Sequence, residues 1–255
     1  MIQDTLLKKI QNREMVIGTH VFAGAPMFTE CMAQAGYDAI WIDAEHTHIT
    51  NETLLQNLIA AKAGGTPAIV RIAWNDHVLA KPVLDMGVDG IVFPYIRTVE
   101  DAKLAVSACE YPPKGIRGFG PFRALDYCKG DVCEYIHSTS RNTARIIQIE
   151  HIDAVENLRE IAEVEGIDAF IVGMNDLSGS LGYLGDTQNL AMIPVYERIA
   201  ETLREMNKPF GVSAATDETV LRFWKERGAT IIFSGHDIEF IVNGAAQTLS
   251  MMRNL

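Results

Sequence analysis

The feature that most constrains this chain is a pattern repeated without repeated sequence. Eight times, a short apolar run rich in β-branched residues gives way to a helical periodicity. The runs fall at 16–22, 38–46, 67–73, 90–96, 145–150, 169–174, 209–214 and 230–234. Continuous apolar runs of this length are strands buried on both faces, as in a parallel sheet. Between them lie amphipathic segments at 26–36, 51–63, 76–87, 99–109, 154–164, 193–206, 217–227 and 237–252, several closed by glycine. A further short helix is expected over the first twelve residues, with Leu6, Leu7 and Ile10 on one face. Eight strand-then-helix units in 255 residues predict a (β/α)8 TIM barrel, one domain spanning 1–255. The rival is an open doubly wound sheet, but no GxGxxG follows the first strand and eight regular units favour closure.

A barrel puts its active site where strands end and helices begin, so the polar residues at those points matter most. The runs Arg145-Ile-Ile-Gln-Ile-Glu150 and Ala169-Phe-Ile-Val-Gly-Met-Asn-Asp176 both end in a carboxylate. Consecutive parallel strands usually neighbour one another, roughly 5 Å apart. Glu150 and Asp176 could then share one hard cation, leaving about four of six positions for water and substrate. The oxygen-only pair suits Mg²⁺ or Mn²⁺, with Co²⁺ able to substitute. The plainer reading is that Glu150 caps the next helix or pairs with an arginine.

The second strand ends in Asp43, Glu45 and His46, and Arg71 stands in the otherwise apolar third strand. A buried arginine needs a partner. Arg71 either pairs with Asp43 or grips an anion with its planar fork, and both hold if Asp43 aims it. His46 is the natural general base, since a neutral imidazole works near pH 7, although a lone histidine is more often structural. His48 and His236 are weaker candidates. No lysine falls inside a strand as drawn, so carbonyl chemistry would use a metal as Lewis acid rather than a Schiff base.

The stretch 111–142 is long, polar and glycine-rich, with a helix expected over 131–138. Such a loop is usually functional or covers a site. Its backbone N–H groups and arginines suit an anion, but a plain turn or a subunit contact fits equally. The start of the segment 176–182 could likewise hold a carboxylate through free N–H groups.

The net charge of −11 argues against nucleic acid or an anionic membrane as partner. No run reaches the ~18 apolar residues needed to cross a bilayer. Cys31, Cys109, Cys128 and Cys133 form no CxxC pair and no secretory signal is evident, so free thiols in the cytoplasm are expected.

Taken together, Trp41-Ile-Asp-Ala-Glu-His46, Val70-Arg-Ile-Ala-Trp-Asn-Asp76, Tyr111-Pro-Pro-Lys-Gly-Ile-Arg-Gly118, Gln148-Ile-Glu150 and Asn175-Asp-Leu-Ser-Gly-Ser-Leu-Gly182 resemble the HpcH/HpaI family of metal-dependent class II pyruvate aldolases. The resemblance implies a (β/α)8 barrel whose last helix is exchanged between subunits, usually in homohexamers. It implies Glu150 and Asp176 as metal ligands, and Arg71 on the pyruvate or enolate oxygen. It gives His46 the acid/base work with Asp43 in support. Gln148, Gly173, Met174, Asn175 and Ser178 complete the expected substrate contacts. The family also uses an aspartate at the position of Asp85. Asp85 closes the third helix at the far end of the barrel, so it either reaches a neighbouring subunit's site or merely ends its helix. Met174 stands where the family commonly has proline, and Gly179 where it often has alanine, which leaves the choice of substrate open. The expected activity is reversible cleavage of a 4-hydroxy-2-oxo acid to pyruvate and an aldehyde. The alternatives are a citrate-lyase-type acyl-CoA lyase and a non-catalytic 2-oxo-acid-binding barrel.

Overall fold

The computed structural model describes residues 2–137 and 142–255. Eight strands follow one another around a closed barrel: β1 (Val16–Val21), β2 (Ala39–Asp43), β3 (Ala68–Arg71), β4 (Gly90–Phe93), β5 (Ala144–Ile149), β6 (Ala169–Gly173), β7 (Phe210–Ala214) and β8 (Ile231–His236). Every neighbouring pair is parallel, including β8 with β1. The expected eight-unit barrel is therefore the observed architecture.

The helices are α1 (Ile2–Gln11), α2 (Pro26–Ala33), α3 (Asn51–Gly64), α4 (His77–Asp85), α5 (Val99–Cys109) and α6 (Val132–His137). They continue as α7 (Ile152–Glu156), α8 (Leu158–Ala162), α9 (Met174–Ser180), α10 (Ile193–Glu205), α11 (Glu218–Glu226) and α12 (Asp237–Arg253). Their ends follow local chemistry. Thr50, Asp76, Thr98 and Asp217 cap α3, α4, α5 and α11 with side-chain oxygens, and Gly65 closes α3 in the left-handed region. The single helix expected over 154–164 is instead two short ones. The break is at Asn157, whose side chain leaves the helical pattern to donate to the Arg97 carbonyl at 3.0 Å. The expected 131–138 helix is α6, and Ser138 lies outside the described residues.

A repeated aspartate sets the register of three strand pairs. Asp38, Asp89 and Asp168 each stand just before an even-numbered strand. Each accepts the N–H of the preceding odd strand, from Ile17 at 2.9 Å, Ala68 at 2.8 Å and Arg145 at 2.9 Å. Each also donates its own N–H to the carbonyl of the same residue. Two reciprocal bonds at one point leave little room for a one-residue slip, which would turn every side chain to the wrong face.

The apolar residues form two layers. One lies between the barrel wall and the helices. The other fills the barrel and includes Trp41, Ile69, Val92, Ile146, Ile171 and Phe233, together with Leu6, Leu7 and Ile10 of α1. The amphipathic face of α1 thus packs into the same interior core as the strands. The opposite end of the barrel, where the strands finish, is left for polar side chains. No described helix is long and apolar enough to cross a membrane.

Candidate active site

The β2–β3 register places Asp43 directly opposite Arg71. Parallel neighbours at paired positions share a face, so the carboxylate and guanidinium meet. Arg71 Nε donates to Asp43 Oδ1 at 3.0 Å and Nη2 to Oδ2 at 2.5 Å. Two parallel bonds fix the guanidinium plane in a way one could not. Its carbon lies 5.7 Å from the centre of the Trp41 ring, which gives the plane a second support. Nη1 approaches Glu45 Oε2 at 2.9 Å. That contact is an ion pair whose angles do not make a hydrogen bond, so the buried Glu45 oxygen has no donor.

Across the barrel, Glu150 follows β5 and is 3% exposed. Its Oε1 accepts the Tyr95 N–H at 2.6 Å and its Oε2 accepts Gln148 Nε2 at 2.5 Å. Tyr95 holds φ at 56°, the left-handed region that bulky residues avoid. That turn aims its amide at the carboxylate, and strain of this kind collects at functional sites. Burial pushes the Glu150 carboxyl up to about 7, and the charges of Glu45 and Asp176 push the same way. The Tyr95 N–H and Arg71 oppose the shift. Burial first, then its acidic neighbours, also raises Glu45.

Asp176 sits in the first turn of α9 and is exposed to the cavity mouth. Gly173 lies between the two acids in sequence. A Cβ there would fall 2.6 Å from Gln148 Nε2 and 2.9 Å from Glu150 Oε2. Only glycine leaves both side chains where they are.

The residues present fit a divalent cation. Four carboxylates, Asp43, Glu45, Glu150 and Asp176, share this end of the barrel with a single guanidinium, which Asp43 already grips. The buried Gln148 Oε1 accepts no hydrogen bond, and Glu45 Oε2 has only its ion-pair contacts. Buried oxygens without donors carry a desolvation cost that a cation or its bound water would offset. Among the described residues no three His, Cys, Asp or Glu side chains converge as a closed metal cage.

One cleft of about 580 Å³ takes in Asp43, His46, Arg71, Gln148, Gly173, Met174, Asn175 and Asp176 from the expected set, together with Phe22, Thr47, His48, Ser213 and Ile238. His46 stands at its rim, largely exposed, with Nε2 3.8 Å from Glu45 Oε2. Trp224 Nε1 contacts Met174 Sδ at 3.4 Å and holds that side chain against the wall.

Three expected residues are not on the cleft wall. Glu150 is buried and accepts from Gln148, which does line the cleft. Ser178 is fully buried, is not on the cavity wall, and spends its hydroxyl on the Asn175 carbonyl at 2.8 Å. It shapes the α9 turn rather than facing a ligand. Asp85, at the end of α4, pairs with Arg117 at 3.0 Å and does not line the cavity. Arg117 is itself held by the Tyr135 hydroxyl and lies over the Tyr111 ring. Tyr111, Arg117 and Tyr135 thus cluster around Asp85, and Arg117 is not free for an anion.

Several site residues were not foreseen. Glu45 was visible at the strand tip but had no role. The Tyr95 amide carries no side-chain signal at all. His20 and Ser213 read as ordinary strand residues, and only the closure of β7, β8 and β1 brings them together.

Known proteins share this fold and part of this sequence. The family model described as HpcH/HpaI aldolase/citrate lyase matches residues 17–244. The 5-keto-4-deoxy-D-glucarate aldolase of Escherichia coli (strain K12) is 31% identical over 238 residues, covering 93% of this chain and 92% of the relative. An HpcH/HpaI aldolase/citrate lyase family protein from Burkholderia cenocepacia J2315 superposes with a TM-score of 0.91 at 28% identity, over 98% of this chain and 99% of the other. The HpcH/HpaI aldolase from Desulfitobacterium hafniense DCB-2 gives a TM-score of 0.90 at 28% identity, over 98% and 97%.

Proposed function

The chain belongs to the HpcH/HpaI aldolase/citrate lyase family and is a carbon–carbon lyase of the metal-dependent aldolase type, and from that premise we propose that its strand-end cleft cleaves a 4-hydroxy-2-oxo acid reversibly to pyruvate and an aldehyde. The observation that carries the assignment is that Asp176 and the Asp43-gripped Arg71 line one cavity at the strand ends, with the buried Glu150 held against Gln148, which lines it too.

Glu150 and Asp176 would hold the divalent ion, with Mg²⁺ or Mn²⁺ the best match to two carboxylates and Co²⁺ a workable substitute. When bound, that ion supplies Lewis-acid polarisation of the 2-oxo acid. Arg71 lines the cavity with its plane fixed by Asp43, so its free N–H groups meet the oxo oxygen in one orientation. His46 takes the proton of the 4-hydroxyl. The C3–C4 bond then breaks, the aldehyde carbonyl forms, and the electron pair passes through C3 to the oxo oxygen. Arg71 stabilises the enolate charge, an effect commonly worth several kcal/mol. The proton returns to C3, from His46, to give pyruvate. Gln148 orients Glu150, and Gly173, Met174 and Asn175 form the wall against which the oxo acid lies.

Asp85 cannot serve this cleft from its own chain, so a role in the reaction requires a neighbouring subunit. Helix α12 supports such an assembly: only Asp237 is buried, while Ile238, Ile241, Val242, Leu249 and Met252 are exposed. We read it as a helix exchanged between subunits of a homohexamer, each built on one barrel unit of residues 1–255. The four unpaired cysteines suit a reducing cytoplasm. Small molecules are the expected partners.

The test is to incubate pyruvate with a panel of aldehydes and each metal. Aldol product should form, chelator should stop it, and pyruvate methyl protons should exchange in D₂O without any aldehyde. Absence of both product and exchange with every metal would refute the proposal.

A further inference from the structure

The cleft is not uniform. Its β2, β3, β5 and β6 sides carry all of its carboxylates and its one guanidinium. Its β7–β8–β1 side is Phe22, Ser213 and Ile238, an apolar wall with a single hydroxyl and no charge. The charged end of an oxo acid belongs to the first side. The rest of the substrate must then pass the second.

What the Ser213 hydroxyl can do there is decided by His20 behind it. His20 is 6% exposed, on β1, and its ring is enclosed by Phe22, Trp41 and Phe233. Its Nδ1 lies 2.9 Å from the Gly235 carbonyl and its Nε2 2.9 Å from Ser213 Oγ. A carbonyl only accepts, so Nδ1 carries the proton. Burial holds the His20 pKa down at about 4, so the ring is neutral and Nε2 is bare. Ser213 must therefore donate its only proton backward to Nε2. Both of its lone pairs are left for the cavity.

The backbone enforces this direction. The β1–β8 register shifts between Gly18 and His20, and Gly235 takes φ +70°. A bulge of this kind re-aims the groups beside it. Here the Gly235 carbonyl points inward and accepts from both His20 and the Thr19 hydroxyl, the latter at 3.0 Å. A side chain at Gly235 would strike the Phe240 ring at 2.6 Å. Ser213 in turn lies opposite Gly173 in the β6–β7 register, beside the position where no Cβ stands.

The geometry points to Ser213 as a specificity-determining residue that accepts a hydrogen bond from a hydroxyl on the aldehyde half of the substrate, with His20 as the positioning residue that makes it an obligate acceptor. The favoured class is a neutral hydroxyaldehyde. A carboxylate or phosphate brings no proton to this wall and finds no cation on it. A plain alkyl aldehyde leaves the Ser213 lone pairs unpaired. The inference rests on the aldolase reading, since it assigns the second half of that reaction's substrate.

Glycolaldehyde and propionaldehyde match in heavy atoms and differ only in hydroxyl against methyl. In the pyruvate-condensing direction the ratio of their kcat/KM values should favour glycolaldehyde. In Ser213→Ala the ratio should fall by about tenfold to a hundredfold, the range for a site that loses its partner to a substrate hydroxyl. Ser213→Thr, which keeps the hydroxyl, should retain the preference. A fall in Ser213→Ala of less than about fivefold overturns the inference. Nitrogen-15 NMR of histidine-labelled enzyme reads the tautomer directly and needs no variant. Nδ1–H at His20 supports the inference, and Nε2–H overturns it. Pyruvate methyl exchange in D₂O by the wild-type enzyme separates the two levels. Exchange without a hydroxyl preference sinks only the Ser213 role, whereas no exchange and no product sinks the aldolase reading.

Discussion

Asp43 and Arg71 stand at paired positions of adjacent strands and share two hydrogen bonds, 3.0 and 2.5 Å long. The guanidinium is thereby a fixed plate rather than a mobile charge. Arg71→Lys keeps the charge and loses the fork, so kcat/KM should drop by at least about 100-fold, within the range for losing a donor to a developing anion. Asp43→Asn keeps the shape but weakens the grip, and a smaller loss, about tenfold, is expected. Steady-state kinetics of both variants, with circular dichroism to confirm folding, makes the comparison. Equal activity in Arg71→Lys would show that only charge matters there.

Gly173 tests the carboxylate pair without touching it. Gly173→Ala would bring a methyl group within 3 Å of Gln148 Nε2 and Glu150 Oε2, so the two must shift. Metal affinity, measured by calorimetry, should fall roughly 10- to 100-fold, as when an outer partner of a ligand is disturbed. Gln148→Met should fall in the same range. Glu150→Gln and Asp176→Asn should bind metal far more weakly still and lose turnover. Unchanged affinity in Gly173→Ala would mean that the cation sits elsewhere.

The sequence was most readable where physics is local or repetitive. The eight apolar runs gave the barrel because strands buried on both faces need no alternation. Glu150 and Asp176 stood out as the carboxylates that end their runs, but nothing in the run told that Glu150 would be 3% exposed. Asp38, Asp89 and Asp168 show the opposite case. Each precedes an even-numbered strand and fixes its register, yet singly each reads as a loop residue. What stayed hidden depends on closure or on backbone. The Tyr95 amide has no side-chain signature. His20 and Ser213 lie 193 residues apart and meet only because β8 returns to β1. Asn157 breaks its helix for a carbonyl on another element, which no periodicity could announce. Ser178 was drawn to the cavity by motif and lies off its wall, whereas Asp85 lies off it as its place at the far end of the barrel implied.

Burial of His20 gives stability a particular dependence on pH. Its folded pKa of about 4 lies below its ordinary value of 6.5, chiefly through desolvation. The Gly235 carbonyl and Asp43 oppose the shift, while Arg71 and His236 assist it. The unfolded chain therefore binds a proton that the folded one refuses. The contribution is fully present above pH 6.5 and is lost as pH falls through 4. The 2.5-unit gap corresponds to about 3 kcal/mol. Other carboxylates titrate in the same window, so the useful quantity is a difference. Subtracting the stability of His20→Gln from that of the wild type, by urea unfolding at several pH values, should leave a term that shrinks by about this amount between pH 6.5 and 4. A flat difference would show that His20 is not neutral and buried in solution.

Helix α12 offers a test of whether the site is complete in one chain. Asp237 anchors its start by accepting the Phe22 and Ala23 N–H groups at 3.0 and 2.9 Å, which ties the helix to the cavity rim. Beyond that point Ile238, Ile241, Val242, Leu249 and Met252 follow a three-four spacing along one face. An uncovered stripe of this kind marks an interface. Ile241→Asp with Val242→Asp should release monomers, read by light scattering, while circular dichroism still reports the barrel. If Asp85 serves a neighbouring site, those monomers should also lose activity, and Asp85→Ala should be impaired as an intact assembly. Complementation then gives the decisive reading. Asp85→Ala subunits and His46→Ala subunits are each expected to be weak alone. After dissociation and mixing, some hybrid sites would draw an intact His46 from one subunit and an intact Asp85 from the other. Recovery of a substantial fraction of wild-type turnover would place Asp85 across an interface. No recovery from fully mixed assemblies would leave it the structural partner of Arg117 alone.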